Sequence, residues 1–151
     1  MRLDNSFNYR VGVIIPVYNR GDLFNATLNS LENQFYKDFL TIVIDDGSTE
    51  NIKNICEQHK NRIDIYYIRN KENLGIAKTR QKGIDFIIEK NIPYFTFIDS
   101  DDLLLPHSLE MLLMGIYYSD EDMCVGDRLQ VHQDNFKLNG VVNVVAEYST
   151  P

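Results

Sequence analysis

Strand-like and helix-like segments alternate four times along this chain, and that alternation constrains the fold more than any other feature. The runs "VGVIIPV" (11–17) and "FLTIVI" (39–44) are short, β-branched and apolar on both sides. A strand without a polar face belongs to a sheet covered on both sides, as parallel sheets are. Pro16 has no N–H for a central ladder and marks a strand end. "RIDIYYIRN" (62–70) and "YFTFI" (94–98) read as the third and fourth strands. Between the strands, "GDLFNATLNSLENQF" repeats Phe24, Leu28, Leu31 and Phe35 at helical spacing, with Asp22 as its N-cap. "DDGSTENIKNICEQH" turns at Gly47 and starts a helix at Ser48 or Thr49, with Ile52, Ile55 and Cys56 inward. "IAKTRQKGIDFIIEK" gathers Ile76, Gly83, Ile84, Ile87 and Ile88 on one side. "PHSLEMLLMGIYY" is a fourth helix with Leu109, Leu112, Leu113 and Ile116 inward. "MCVGDRLQVH" and "GVVNVVAEY" read as two later strands, a hairpin or the edge of a mixed sheet. Four strand–helix units in series predict an α/β domain with a mostly parallel sheet and right-handed crossovers.

Length and charge narrow the partners. At 151 residues the chain makes one domain with a real core. A net charge of -7 argues against general nucleic-acid binding, which depends on Lys and Arg neutralising phosphates. An anionic ligand therefore needs a metal ion or a local cluster of donors. Cys56 and Cys124 each sit in apolar stretches and read as reduced core residues, which favours a cytoplasmic setting. No apolar run approaches the roughly 18 residues of a membrane span. "MRLDNSFNYR" has no signal-peptide core. Docking at the inner face of a membrane is compatible with all of this.

In parallel α/β sheets ligands bind beyond the carboxyl ends of the strands, where strand order reverses. The four strand-end loops here are "YNRGD", "DDGST", "RNKENLG" and "DSDD". Asp45 and Asp46 serve equally well as acids at a helix start or as rigid acceptors for a base N–H. Asp99, Asp101 and Asp102 exceed what one helix cap needs. Carboxylates one residue apart suit a hard divalent ion, which takes one or two of them plus substrate phosphates. The loop lacks the glycine and later glutamate of a calcium EF-hand. Asn73 and Gly75 close a tight loop before a helix whose free N–H groups favour anions. Of the cations that follow, Arg80 is better placed than Lys78 or Lys82 to meet phosphate or base.

Taken in order, "VIIPVYNR", "VIDDGST", "NLGIAKTRQKGI" and "FIDSDDLLLP" resemble the successive signatures of family 2 glycosyltransferases of the GT-A fold. The resemblance covers about residues 11–118. It implies a Rossmann-like three-layer α/β/α sandwich and an inverting transfer of sugar from a nucleotide-diphosphate sugar to a hydroxyl acceptor. The donor implied is a UDP-sugar, and the acceptor a glycan, a lipid-linked group or another hydroxyl, as in cell-surface polysaccharide biosynthesis. Pro16, Val17, Tyr18 and Asn19 are implied along the nucleotide, with Asp46 on the base and Asn73, Gly75 and Arg80 nearby. Asp99, Ser100 and Asp101 match the DXD element: Asp101 as direct ligand of Mg²⁺ or Mn²⁺, Asp99 nearer the ribose and also a metal ligand, and Asp102 reaching the metal through water.

The expected organisation is an N-terminal extension (1–10), a donor-binding core (11–118) and the truncated start of an acceptor-side part (119–151). The family's general base comes from that later part and is expected outside this chain. Among Asp120, Glu121, Asp122 and Asp127, the candidate within it is Asp127. The alternative is a nucleotide-sugar-binding module without transfer. Phosphatases of the haloacid-dehalogenase type carry their acidic loop on the first strand and receiver domains carry their acid pair there. Here the acids follow the second and fourth strands.

Overall fold

The computed structural model describes residues 11–119 and 122–126. Elements alternate as β1 (Val11–Val17), α1 (Gly21–Glu32), β2 (Phe39–Asp45), α2 (Ile52–His59), β3 (Asp64–Arg69), α3 (Ile76–Glu89), β4 (Tyr94–Phe97) and α4 (Ser108–Ser119). The four strands form one parallel sheet in the order β3-β2-β1-β4. Every residue of β1 is buried, as its two-sided apolar sequence requires. Register aligns Val17 with Asp45 and Asp45 with Arg69, so three strand ends finish level.

The order of the strands fixes where the helices lie. The β1-α1-β2 and β2-α2-β3 crossovers run the same way across the sheet, so right-handedness places α1 and α2 on one face. The return from β3 to β4 puts α3 on the other. The α3 face is a core of Ile14, Ile42, Ile44, Phe86, Ile87 and Ile92. Two glycines bring α3 close to β1. A Cβ at Gly12 would lie 2.0 Å from Ile87 Cδ1, and one at Gly83 2.4 Å from Ile14 Cγ2. The opposite face is sealed by Phe24, Leu28 and Leu31 of α1 and Ile52 and Cys56 of α2, all fully buried. The direction of crossing changes between β1 and β4, so the ligand crevice of this sheet lies at their carboxyl ends.

The described residues fall into two compact units that divide between Pro106 and His107. The second contains α4, where Cys124 packs on Gly115. Cys56 and Cys124 are both free thiols. Residues 123–126 have no regular structure; the rest of the two later strands read from the sequence lies outside the described residues.

Several sequence expectations need correction. Phe35 lies beyond the end of α1 and is 60% exposed, because the helix stops at Glu32. Asp22 does not cap α1; Arg20 holds the N-cap position, and Asp22 sits in the first turn. Helix α2 begins at Ile52, three to four residues later than the Ser48 or Thr49 reading, with Asn51 accepting the Asn54 N–H. On α3 the inward set is Thr79, Gly83, Phe86 and Ile87, while Ile76 and Ile88 are exposed. Of the α4 set, Leu109 is buried and Leu112, Leu113 and Ile116 are half-buried.

Candidate active site

The loops after β1 and β2 are laced together. Asn19 donates its N–H to Ser48 Oγ at 2.9 Å, and its side-chain oxygen accepts from the Thr49 N–H at 2.9 Å and the Thr49 hydroxyl at 3.0 Å. The Glu50 carboxylate accepts from the N–H groups of Arg20 (3.0 Å) and Gly21 (2.6 Å), so an acid from the next unit caps α1. It lies where a Cβ of residue 21 would be, which explains Gly21.

The acids after β2 have different duties. Asp45 is fully buried and accepts from the Ser48 N–H (2.8 Å), the Tyr67 hydroxyl (2.5 Å) and Arg69 Nη1 (3.1 Å). Burial first, and the bond to Asp45 second, push the Tyr67 hydroxyl up to about 12. Asp46 is 4% exposed. Its Oδ1 accepts from Asn70 Nδ2 (2.7 Å) and the Leu74 N–H (2.9 Å), and its Oδ2 from the Gly75 N–H (3.0 Å). Burial alone would raise its pKa. The donors of Leu74, Asn70, Thr79 and Gly75 outweigh that and hold it below the usual carboxylate value. The anion at the start of α3 is thus the protein's own Asp46, which fixes the loop holding Asn73 and Gly75. Gly47 allows this close fit: its φ is 78°, and a Cβ there would lie 2.8 Å from the Glu72 backbone carbon. Lys82 donates to Asn70 Oδ1 and so belongs to the same network.

The loop after β4 leaves the sheet beside β1, where Ile98 N–H donates to Ile14 O at 3.0 Å. Two arginines meet its acids. Arg80 Nη2 donates to Asp99 Oδ1 at 2.6 Å, with its guanidinium 5.3 Å from the centre of the Phe97 ring. Arg20 Nη1 donates to Asp101 Oδ2. Ser100 is buried between these acids, and Asp102 turns back with its N–H on Asp99 O at 3.0 Å. The segment is tied to α1 by the Leu104 N–H on Ser30 Oγ and by the buried Gln34 amide on Leu105 O. Pro16 and Val17 are buried in β1, whereas Tyr18 is half exposed beyond it.

The donor set suits a hard divalent ion brought by phosphate. Among the described residues, no three His, Cys, Asp or Glu side chains converge into a cage. Two carboxylates one residue apart instead match an ion that draws its other ligands from substrate and water. Sequence reasoning missed Arg20, Glu50 and His59. His59 is buried, with Nδ1 on the Glu32 carboxylate and Nε2 2.9 Å from Asn25 Oδ1, and it ties α2 to α1 away from the strand ends. A shallow concavity lined by Lys37, Lys60, Arg62 and Asp64 lies at the opposite, amino-terminal end of the sheet. Asp127, Asp120 and Glu121 lie outside the described residues.

The parallel sheet of order 3-2-1-4, with an acidic loop after its fourth strand, is an α/β fold shared with solved GT-A glycosyltransferases. The chain belongs to glycosyl transferase family 2, whose model matches residues 12–146. It is 30% identical over 120 residues to the glycosyltransferase GlyG of Streptococcus pneumoniae, covering 78% of this chain and 38% of that protein. Among solved structures, S. aureus TarS 1-349 in complex with UDP-GlcNAc superposes with a TM-score of 0.67 at 27% identity, over 75% of this chain and 32% of that one. The mannosyltransferase PcManGT of Pyrobaculum calidifontis, in complex with GDP-Man and Mn²⁺, shares the fold at a TM-score of 0.59 and 19% identity, over 69% of this chain and 31% of that one. The chain thus spans well under two thirds of the length of these proteins. Among the described residues no helix is long and apolar enough to cross a membrane.

Proposed function

We propose that this chain carries the donor site of an inverting glycosyltransferase that takes a UDP-sugar and delivers the sugar to an acceptor hydroxyl. The observation that carries the reading is the meeting of Asp99, Asp101, Arg80 and Arg20 at the crevice beside β1. The UDP-GlcNAc complex of the TarS relative supports a uridine donor. Pro16, Val17, Tyr18 and Asn19 line the nucleotide side, and the Asp46-held loop of Asn73 and Gly75 flanks the base. A direct bond from Asp46 to a base N–H would displace one of its present donors. Asp101 would hold Mg²⁺ or Mn²⁺, and Asp99 would face the ribose or share the ion; a bound metal would supply charge neutralisation for a departing diphosphate. Arg80 adds a fixed positive charge on the same side, and the carboxylates supply the rigid strand-end frame. The general base belongs to the acceptor side.

Calorimetric titration of UDP, with and without Mn²⁺, into wild type and Asp101→Ala tests the reading. Metal-dependent binding that disappears in the variant is the expected result. Binding that is indifferent to both metal and Asp101 would refute the DXD assignment.

A further inference from the structure

The two acids assigned to the cation are already engaged, one by Arg20 at the end of the β1–α1 loop and the other by Arg80 on α3. The Arg20 contact is the less ordinary. Arg20 and Asn19 are consecutive non-glycine residues in the left-handed region, at φ 71° and 55°. Such backbone is strained and persists only where its surroundings impose it. Here the imposition is visible: Glu50 grips the N–H groups of Arg20 and Gly21, while Ser48 and Thr49 grip Asn19. The consequence is an arginine delivered to an acid 81 positions away.

That arginine and a divalent ion want the same carboxylate. A free cation must displace the guanidinium from Asp101 and then endure its charge nearby. A cation arriving with a diphosphate brings an anion that guanidinium binds as well as it binds carboxylate. We propose that Arg20 is an exchange residue: in the ligand-free protein it covers Asp101, and on entry of a metal–nucleoside diphosphate it passes from that carboxylate to the diphosphate. Metal and diphosphate then bind with positive coupling, and by linkage each tightens the other by the same factor. This rests on the donor-site reading above. It assigns to Arg20 a positioning and gating role beyond the metal ligands themselves.

The test is Mn²⁺ binding followed by electron paramagnetic resonance, alone and with UDP, in wild type, Arg20→Gln and Arg20→Lys. The Arg20 side chain is 55% exposed, so these substitutions leave the core untouched. Removing the cover tightens Mn²⁺ binding in the absence of nucleotide by about two- to fivefold, the worth of an exposed ion pair. It weakens UDP binding at saturating Mn²⁺ by a similar factor, so the coupling falls by roughly tenfold. Arg20→Lys, which keeps the charge, restores most of it. A mere staple between loops would behave otherwise: Arg20→Gln would lower stability and leave nucleotide-free Mn²⁺ affinity unchanged or weaker, which overturns the exchange. If wild type binds no UDP at any Mn²⁺ concentration, the donor-site reading itself is overturned.

Discussion

Replacing Asp46 with asparagine should loosen the crevice from behind while changing almost no volume. Asparagine can keep an oxygen toward Asn70 and Leu74, but its amide NH₂ then faces the Gly75 N–H, donor against donor. A hydrogen bond to a charged group contributes about 1.5–3 kcal/mol and a neutral one about half that. At the low end of these ranges, losing the Gly75 bond and weakening the other two costs about 3 kcal/mol. For a chain of this size that is a fall in Tm of about 6–12 °C. The pH dependence has a definite sign. Because the folded-state pKa is depressed, the Asp46 contribution is complete above the ordinary carboxylate value of 3.8 and disappears as pH falls through the folded one. Urea unfolding of wild type and Asp46→Asn at neutral pH and then at steps below about pH 4 reads both effects. The gap should be wide at neutral pH and narrow on acidification. A variant within about 0.5 kcal/mol of wild type at neutral pH, or a gap that survives acidification, would refute the assignment of Asp46 as the anchor of this loop.

Two other outcomes follow from buried groups. The Thr41 hydroxyl is fully buried and has no hydrogen-bond partner among the described residues, so Thr41→Val should stabilise the fold by about 1 kcal/mol in thermal melts, the reverse of the usual core substitution. Burial, chiefly, raises both the Tyr67 hydroxyl and the Cys56 thiol to about 12. Groups raised in the folded state contribute stability below their unfolded values, about 10 for tyrosine and 9 for cysteine, and lose it as pH climbs toward 12. Melts between these values should show Tm falling with pH, less steeply in Tyr67→Phe, and Cys56 should resist thiol reagents until the protein unfolds.

The layers of the fold were legible because they depend on local pattern. Doubly apolar β1 and β2 needed two covering layers, and four strand–helix units gave the parallel sheet. What the sequence hid depends on contacts between distant segments. Asp22 had the right residue type for a cap, yet the Glu50 carboxylate, about thirty positions on, reaches the same N–H groups first. Ile76 and Ile88 fit a helical stripe, but glycines 12 and 83 rotate the contact face toward Phe86 and Ile87. His59 did leave a signal: it lies three residues after Cys56 and seven after Ile52, on the same buried face of α2.

Four of the strand-end acids, Asp45, Asp46, Asp99 and Asp101, separate by what holds them. Asp45 and Asp46 are almost wholly buried and are gripped by backbone N–H groups, a tyrosine and an amide; neither can change partner without opening a loop. The side chains of Asp99 and Asp101 are 40% and 38% exposed, and each is held by an arginine that is itself solvent-accessible. Exposed ion pairs contribute little, so those two carboxylates can exchange guanidinium for another cation at small cost. The sequence presents all four as alike, an acid after an apolar strand. Burial divides them into two locked into the loops of the crevice and two paired only with solvent-accessible arginines. On the proposed donor-site reading, the same division reconciles a net charge of -7 with an anionic donor: the acids at the crevice mouth are matched by Arg80 and Arg20, and a metal ion would bring the further positive charge a diphosphate requires.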